Sequence, residues 1–220
     1  MDPVLYENII DVCAILMLLL SVLSITTTRM GKLVQHFAIH SLVLAVIAFV
    51  VAYYTGKYEI YFTFALTLVL KVYVIPKFLN YTMHKINAER EIEPLVGIPG
   101  SLLICTALIL ISYLAAEPMV QSLDALGSTC FAVSLSIVLI GMFMMASRRK
   151  ALTESIGLLL VENGLFLGTL TISYGMPLVV EFGVFFDVII AVVIIGIFAY
   201  RINRTFNSVD TTFMRRLKDD

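Results

Sequence analysis

The sequence predicts an all-α integral membrane protein: a bundle of about seven transmembrane helices, N-terminus outside and C-terminus cytoplasmic. Three observations carry that expectation. Of 220 residues, 60% are hydrophobic and only 14% are charged, against about 25% charged in an ordinary soluble domain. Mean hydropathy is +0.98. Apolar runs of the roughly 20 residues that cross a hydrocarbon core recur at 5–28, 32–54, 58–82, 95–116, 124–146, 151–174 and 177–201. Basic residues also take sides. Of 15 Lys and Arg, Lys57 alone lies at an outer junction and Lys71 lies inside a run, while the other 13 flank junctions one, three and five or the C-terminal tail. The positive-inside rule then sets the orientation. An odd number of spans puts the ends on opposite sides, so count and charge agree. A net charge of −1 leaves no basic footprint for nucleic acid.

Span one opens on MDPVLYENIIDVC, without a basic leader region or a small-residue cleavage site, so it is expected to stay as a helix. Glu7 and Asp11 lie towards its outer end, Asp11 the deeper. Span two carries His36 and His40, one turn apart near the cytoplasmic side. Imidazoles suit proton exchange. Helix packing, hydrogen bonding and a metal pair lacking a visible third ligand are the other readings. Span three, in FALTLVLKVYVIPKFLN, holds Lys71 near its middle and Pro76 five residues later. Pro76 cannot donate to the Val72 carbonyl. The loosened helix either borders an ion path or simply kinks. MHKINAEREIEP, short and mixed in charge, leads to span four, and Arg148-Arg-Lys150 separates span five from span six.

Span six reads SIGLLLVENGLFLGTL, with Glu162 and Asn163 deep in it. Gly157, Gly164 and Gly168 fall on one stripe, within about 40° of each other on a 3.6-residue helix. Gly164 and Gly168 make a GxxxG, the spacing of close helix packing in membranes. Glu162 points away from that stripe. A Tyr174-Gly-Met-Pro177 turn leads to span seven, which holds Glu181 and Asp187. Those two acids differ by about 120° around the helix, Glu181 the nearer to the outer surface. Arg201 and Arg204 anchor the last span by snorkelling. The tail either docks on a partner or stays unordered. The chain divides into an N-terminal four-helix region (1–123), a three-helix region (124–201) and a cytoplasmic tail (202–220).

Depth is the informative variable. Glu162, Asp187 and Lys71 each lie near mid-span, where an acid costs about 2.5–3.5 kcal/mol even on insertion scales. Three such groups at one level suggest a lateral ion-translocating row, with Glu181 outward and His36 and His40 inward. A static ion pair that locks helices together is the alternative. Cys13, Cys105 and Cys130 lack metal spacing, so neither a cluster nor a disulfide is expected on this chain.

The stretch VVEFGVFFDVIIAVVIIGIFAYRINRTFNSVDTTFMRRLKD, with ALTLVLKVYVIPKFL and IGLLLVENGLFL, resembles the component E family of hydrogenase-4, membrane subunits of formate hydrogenlyase-type complexes. The similarity covers the whole chain. Residues 124–201 also resemble the small three-helix membrane subunit of respiratory complex I and the matching subunit of multisubunit cation/proton antiporters. In the complex I subunit a Glu follows Ile-Gly-Leu directly. Here Leu159 follows Ile156-Gly157-Leu158 and the acid comes at Glu162, while the second family Glu falls near Asp187. The resemblance implies a membrane-arm subunit of an energy-converting complex in the cytoplasmic (inner) membrane, coupling electron transfer to proton or sodium movement. It further implies antiporter-like and heel membrane subunits as neighbours. Nickel–iron and iron–sulfur centres would sit on soluble hydrogenase-like partners, with no redox centre here. A scaffold subunit of the same arm and a stand-alone transporter are the alternatives.

Overall fold

The protein is described from a computed structural model that covers residues 3–85, 95–120, 125–148 and 150–173. Every regular element among them is helical. Helix α1 spans Pro3–Thr26 and α2 spans Met30–Thr55. The third rod has three pieces: α3 (Tyr58–Thr67), a π-helical stretch (Leu68–Val74) and α4 (Ile75–Lys85). Then come α5 (Ile98–Val120), α6 (Ala125–Ser147) and α7 (Ala151–Ser173). These limits agree with the first six expected spans. The seventh, 177–201, lies outside the described residues. Five of the described helices are long and apolar enough to cross a membrane. Helix α7 is as long as α5 and α6 and is made less apolar by Glu154, Glu162 and Asn163. The chain is an all-helical, multi-pass membrane protein.

Short links make neighbours antiparallel. Helix α2 is the most enclosed of the five and α5 the least. Around α2 stand α1, the third rod and α7, while α6 joins α7, α1 and α5. At one end Tyr6 of α1 stacks on Tyr54 of α2, with ring centroids 4.0 Å apart. At the other end the buried Arg148, between α6 and α7, donates through Nη2 to the Ile25 carbonyl in the last turn of α1. That contact satisfies a helix-end acceptor in a place with little water. Hydroxyls inside the bundle bond back to their own helices, as Ser24 does to Leu20 O at 2.7 Å and Ser136 to Ala132 O at 2.8 Å.

Gly56 ends α2 with φ 69°, and its N–H donates to Ala52 O at 2.9 Å. A Cβ there would meet nothing within 4 Å, so a substitution strains only the backbone. We expect Gly56→Ala to lose roughly 1–2 kcal/mol, read as a lowered thermal midpoint in detergent.

Candidate functional site

The third rod departs from α-helical winding over Leu68–Val74, and Lys71 sits at the centre of that stretch. The Ile75 N–H reaches back to Leu70 O, five residues away. Pro76 follows directly. It has no N–H to give, and its ring would press on the carbonyl four residues earlier. The wider turn relieves that crowding. It also aims Lys71, 1% exposed, into the bundle rather than at lipid.

Lys71 Nζ lies 2.8 Å from Glu162 Oε1 and donates to Asn163 Oδ1 at 3.0 Å. It also stands 5.6 Å from the centre of the Phe166 ring, within cation–π range. Glu162, Asn163 and Phe166 all lie on α7. Glu162 is 8% exposed, and its Oε2 has no hydrogen-bond partner among the described residues. Removing two charges from water is costly, and only close geometry with added hydrogen bonds offsets it.

The polar chain continues beyond Asn163. Its Nδ2 donates to Ser41 Oγ at 3.0 Å and lies 3.1 Å from His40 Nδ1, both on α2. His40 Nε2 lies 3.1 Å from Ser21 Oγ on α1, and Ser21 donates to Met17 O at 3.0 Å. Ser21, His40, Ser41 and Asn163 are fully enclosed. One hydrogen-bonded row therefore crosses four helical elements, from the middle of the third rod and α7 towards the end where α1 stops and α2 begins.

Glycines hold α7 in place for this. A Cβ on Gly164 would stand 2.9 Å from Val138 Cγ2 and 3.0 Å from Ser134 O, and one on Gly157 would stand 2.8 Å from Met145 Cγ. A Cβ on Gly168 would come within 2.7 Å of Ser134 Oγ. The glycine stripe thus lies against α6, while Glu162 faces Lys71.

The residues singled out from sequence divide as follows. Lys71 and Glu162 are in direct contact, and His40 joins them through Asn163. His36 does not join; its Nδ1 lies 3.3 Å from Thr27 Oγ1, one turn nearer the end of the bundle. Asp187 and Glu181 lie outside the described residues. Asp11 Oδ1 accepts from the Cys130 thiol at 3.9 Å, linking α1 to α6 away from the row. Cys13, Cys105 and Cys130 are free thiols. Among the described residues, no three His, Cys, Asp or Glu gather as a metal site. Sequence reasoning gave Ser21, Ser41 and Asn163 no role. Asn163 alone carried a signal, a second polar side chain beside a mid-span Glu.

No family model matches the sequence, and no solved structure matches it. An uncharacterized protein of Mycobacterium tuberculosis is 33% identical over 132 residues, a match spanning 60% of this chain and 60% of that protein. Hydrogenase-4 component E of Escherichia coli K12 is 25% identical over 210 residues, 96% of this chain and 97% of the relative. The protein of that name in Shigella flexneri matches equally. The chain thus resembles hydrogenase-4 component E along nearly its whole length, in agreement with the expectation from sequence.

Proposed function

We propose that this chain is a membrane-arm subunit of an energy-converting hydrogenase-type, complex I-like oxidoreductase, and that it helps couple electron transfer to proton or sodium movement. Similarity to hydrogenase-4 component E over almost the entire chain supports the first half. The second half rests on one observation, the enclosed Lys71–Glu162 pair in mid-span. A carboxylate and an ammonium 2.8 Å apart can exchange one proton and become a neutral acid and amine. Such a pair changes its charge distribution without losing contact. Asp187 is assigned to the same midplane row, Glu181 to its outer side, and His40 and His36 to the route towards the cytoplasm. The Lys and Arg bias supports that direction, and the likeness to hydrogenase-4 component E supports a location in the cytoplasmic membrane. Neighbours in this assignment are antiporter-like and heel membrane subunits. Nickel–iron and iron–sulfur chemistry belongs to soluble partners.

Glu162→Gln keeps the size of the side chain and removes its charge. In the assembled complex we expect it to abolish ion pumping into vesicles while electron transfer to an artificial acceptor continues. Full pumping in both Glu162→Gln and Asp187→Asn would refute the coupling role. The scaffold reading draws on the same short ion pair, which ties the third rod to α7. It differs in predicting less assembled complex on a native gel and normal pumping per complex that remains.

A further inference from the structure

The hydrogen bonds that lead from Lys71 to Met17 all point one way, and a single amide sets their direction. An ammonium only donates, so the oxygen of Asn163 must be the atom facing Lys71, at 3.0 Å. Its Nδ2 then faces α2 and donates to Ser41 Oγ at 3.0 Å and to His40 Nδ1 at 3.1 Å. His40 Nδ1 is therefore bare, and a neutral His40 carries its proton on Nε2. That proton is donated to Ser21 Oγ, 3.1 Å away, and Ser21 donates onward to Met17 O. Ser41 has a hydroxyl that accepts or donates, so it does not choose between amide orientations. A carboxamide turns over but does not carry protons. Asn163 thus separates the row into a Lys71–Glu162 half and a His40–Ser21 half.

We propose that Asn163 makes positive charge on Lys71 and positive charge on His40 mutually exclusive. While Lys71 is an ammonium, the amide offers an N–H to His40 Nδ1, and that nitrogen takes no proton. When Lys71 gives one proton to Glu162, a neutral amine and a neutral carboxyl remain, and the amine lone pair becomes an acceptor. The amide then turns. Nδ2 donates to Lys71, Oδ1 faces His40, and Nδ1 is open to a proton from a hydronium ion, which is left as water. The resulting imidazolium donates to Asn163 Oδ1 and to Ser21 Oγ. No proton passes through the amide; only the orientation of its hydrogen bonds does. Among the described residues, Glu162 and Lys71 are the titratable groups on the far side of the amide, from α7 and the third rod. Ser21 from α1 and Ser41 from α2 are the other polar neighbours described, and they do not titrate. Asn163 is a positioning residue in this scheme. Its consequence for ion coupling rests on the function proposed above, while its chemistry rests on the row alone.

The test is solid-state nitrogen NMR on the full chain in lipid bilayers, labelled with nitrogen-15 at histidine. The His40 signals are assigned by their loss in His40→Gln. Wild-type His40 is expected neutral, with Nε2 protonated and Nδ1 bare. Either the opposite tautomer or an imidazolium at neutral pH overturns the proposal, with no reliance on a variant's folding. Asn163→Leu keeps the Lys71 charge and its Coulomb repulsion but removes the amide. It is expected to show both tautomers, and an unchanged single tautomer overturns the proposal. Lys71→Met with Glu162→Gln removes both charges without orphaning either. A gain of imidazolium signal at a pH where wild type shows none is expected, and its absence refutes the coupling. No outcome depends on pumping or hydrogen chemistry, so failure of the complex-level function and failure of this switch are separately visible.

Discussion

Replacing Lys71 alone by Met is expected to destabilise the protein more than replacing Lys71 and Glu162 together. Met fills most of the volume of Lys but leaves the Glu162 carboxylate, 8% exposed, without its cation. Asn163 Oδ1 loses its donor in the same step. Orphaning one member of a buried ion pair typically costs about 3–5 kcal/mol, whereas replacing both members by apolar groups is often neutral or stabilising. Lys71→Met with Glu162→Leu should therefore recover most of the stability lost by Lys71→Met, with coupled pumping still absent. Thermal unfolding in detergent gives the first comparison, and pumping per assembled complex gives the second. A double variant as unstable as the single one would show that Lys71 supports the bundle in some way other than by neutralising Glu162.

Substitutions on the α6–α7 seam should have the next largest effect. Gly141 and Gly164 differ from an ordinary glycine in that the atoms a Cβ would meet include backbone. For Gly141 these are Gly157 O and Val161 N, both at 2.9 Å; for Gly164 they are Ser134 O and Val138 N, both at 3.0 Å. Flexible side chains give way, but helix backbones separate as a whole. Gly164→Ala is expected to lose about 1–3 kcal/mol by overpacking, and Gly164→Leu to prevent the two helices from seating. Gly31→Ala is the control, because its Cβ would meet nothing closer than Met83 Cε at 3.9 Å. Relative melting temperatures of Gly164→Ala and Gly31→Ala decide the matter. Equal values would mean that the seam relaxes at no cost.

The helices were legible because apolar run length is a property of the chain itself. The starts at Met30, Tyr58 and Ala151 follow from Arg29, the Gly56-Lys57 pair and the Arg148-Arg-Lys150 break. The depth of Lys71 and Glu162 was legible for the same reason, since residue number converts directly into distance along a helix. Which polar groups meet was not. His36 and His40 are the same residue type one turn apart, yet His40 reaches Asn163, 123 positions away, and His36 reaches Thr27, nine positions away. That difference is set by the rotation of α2 against α7, which depends on how the side chains of α2 pack against its neighbours. Pro76 announced a disturbance, but not the form it takes. A kink and a widened turn both accommodate a missing N–H, and the chain takes the second over Leu68–Val74.

Stiffness is unevenly shared between the two members of the ion pair. Glu162 rides on a hairpin whose halves lie so close that a Cβ on Gly141 or Gly164 would stand 2.9–3.0 Å from backbone atoms of the other helix, which resists sliding. Lys71 rides on a turn wound with a spare residue. Passing that spare residue one step up or down the rod rotates the side chains it crosses by about 100°. In the coupling proposed above, the carboxylate would be the fixed contact and the lysine the moving arm, with travel supplied by the backbone of Leu68–Val74 and not by a hinge at a helix end.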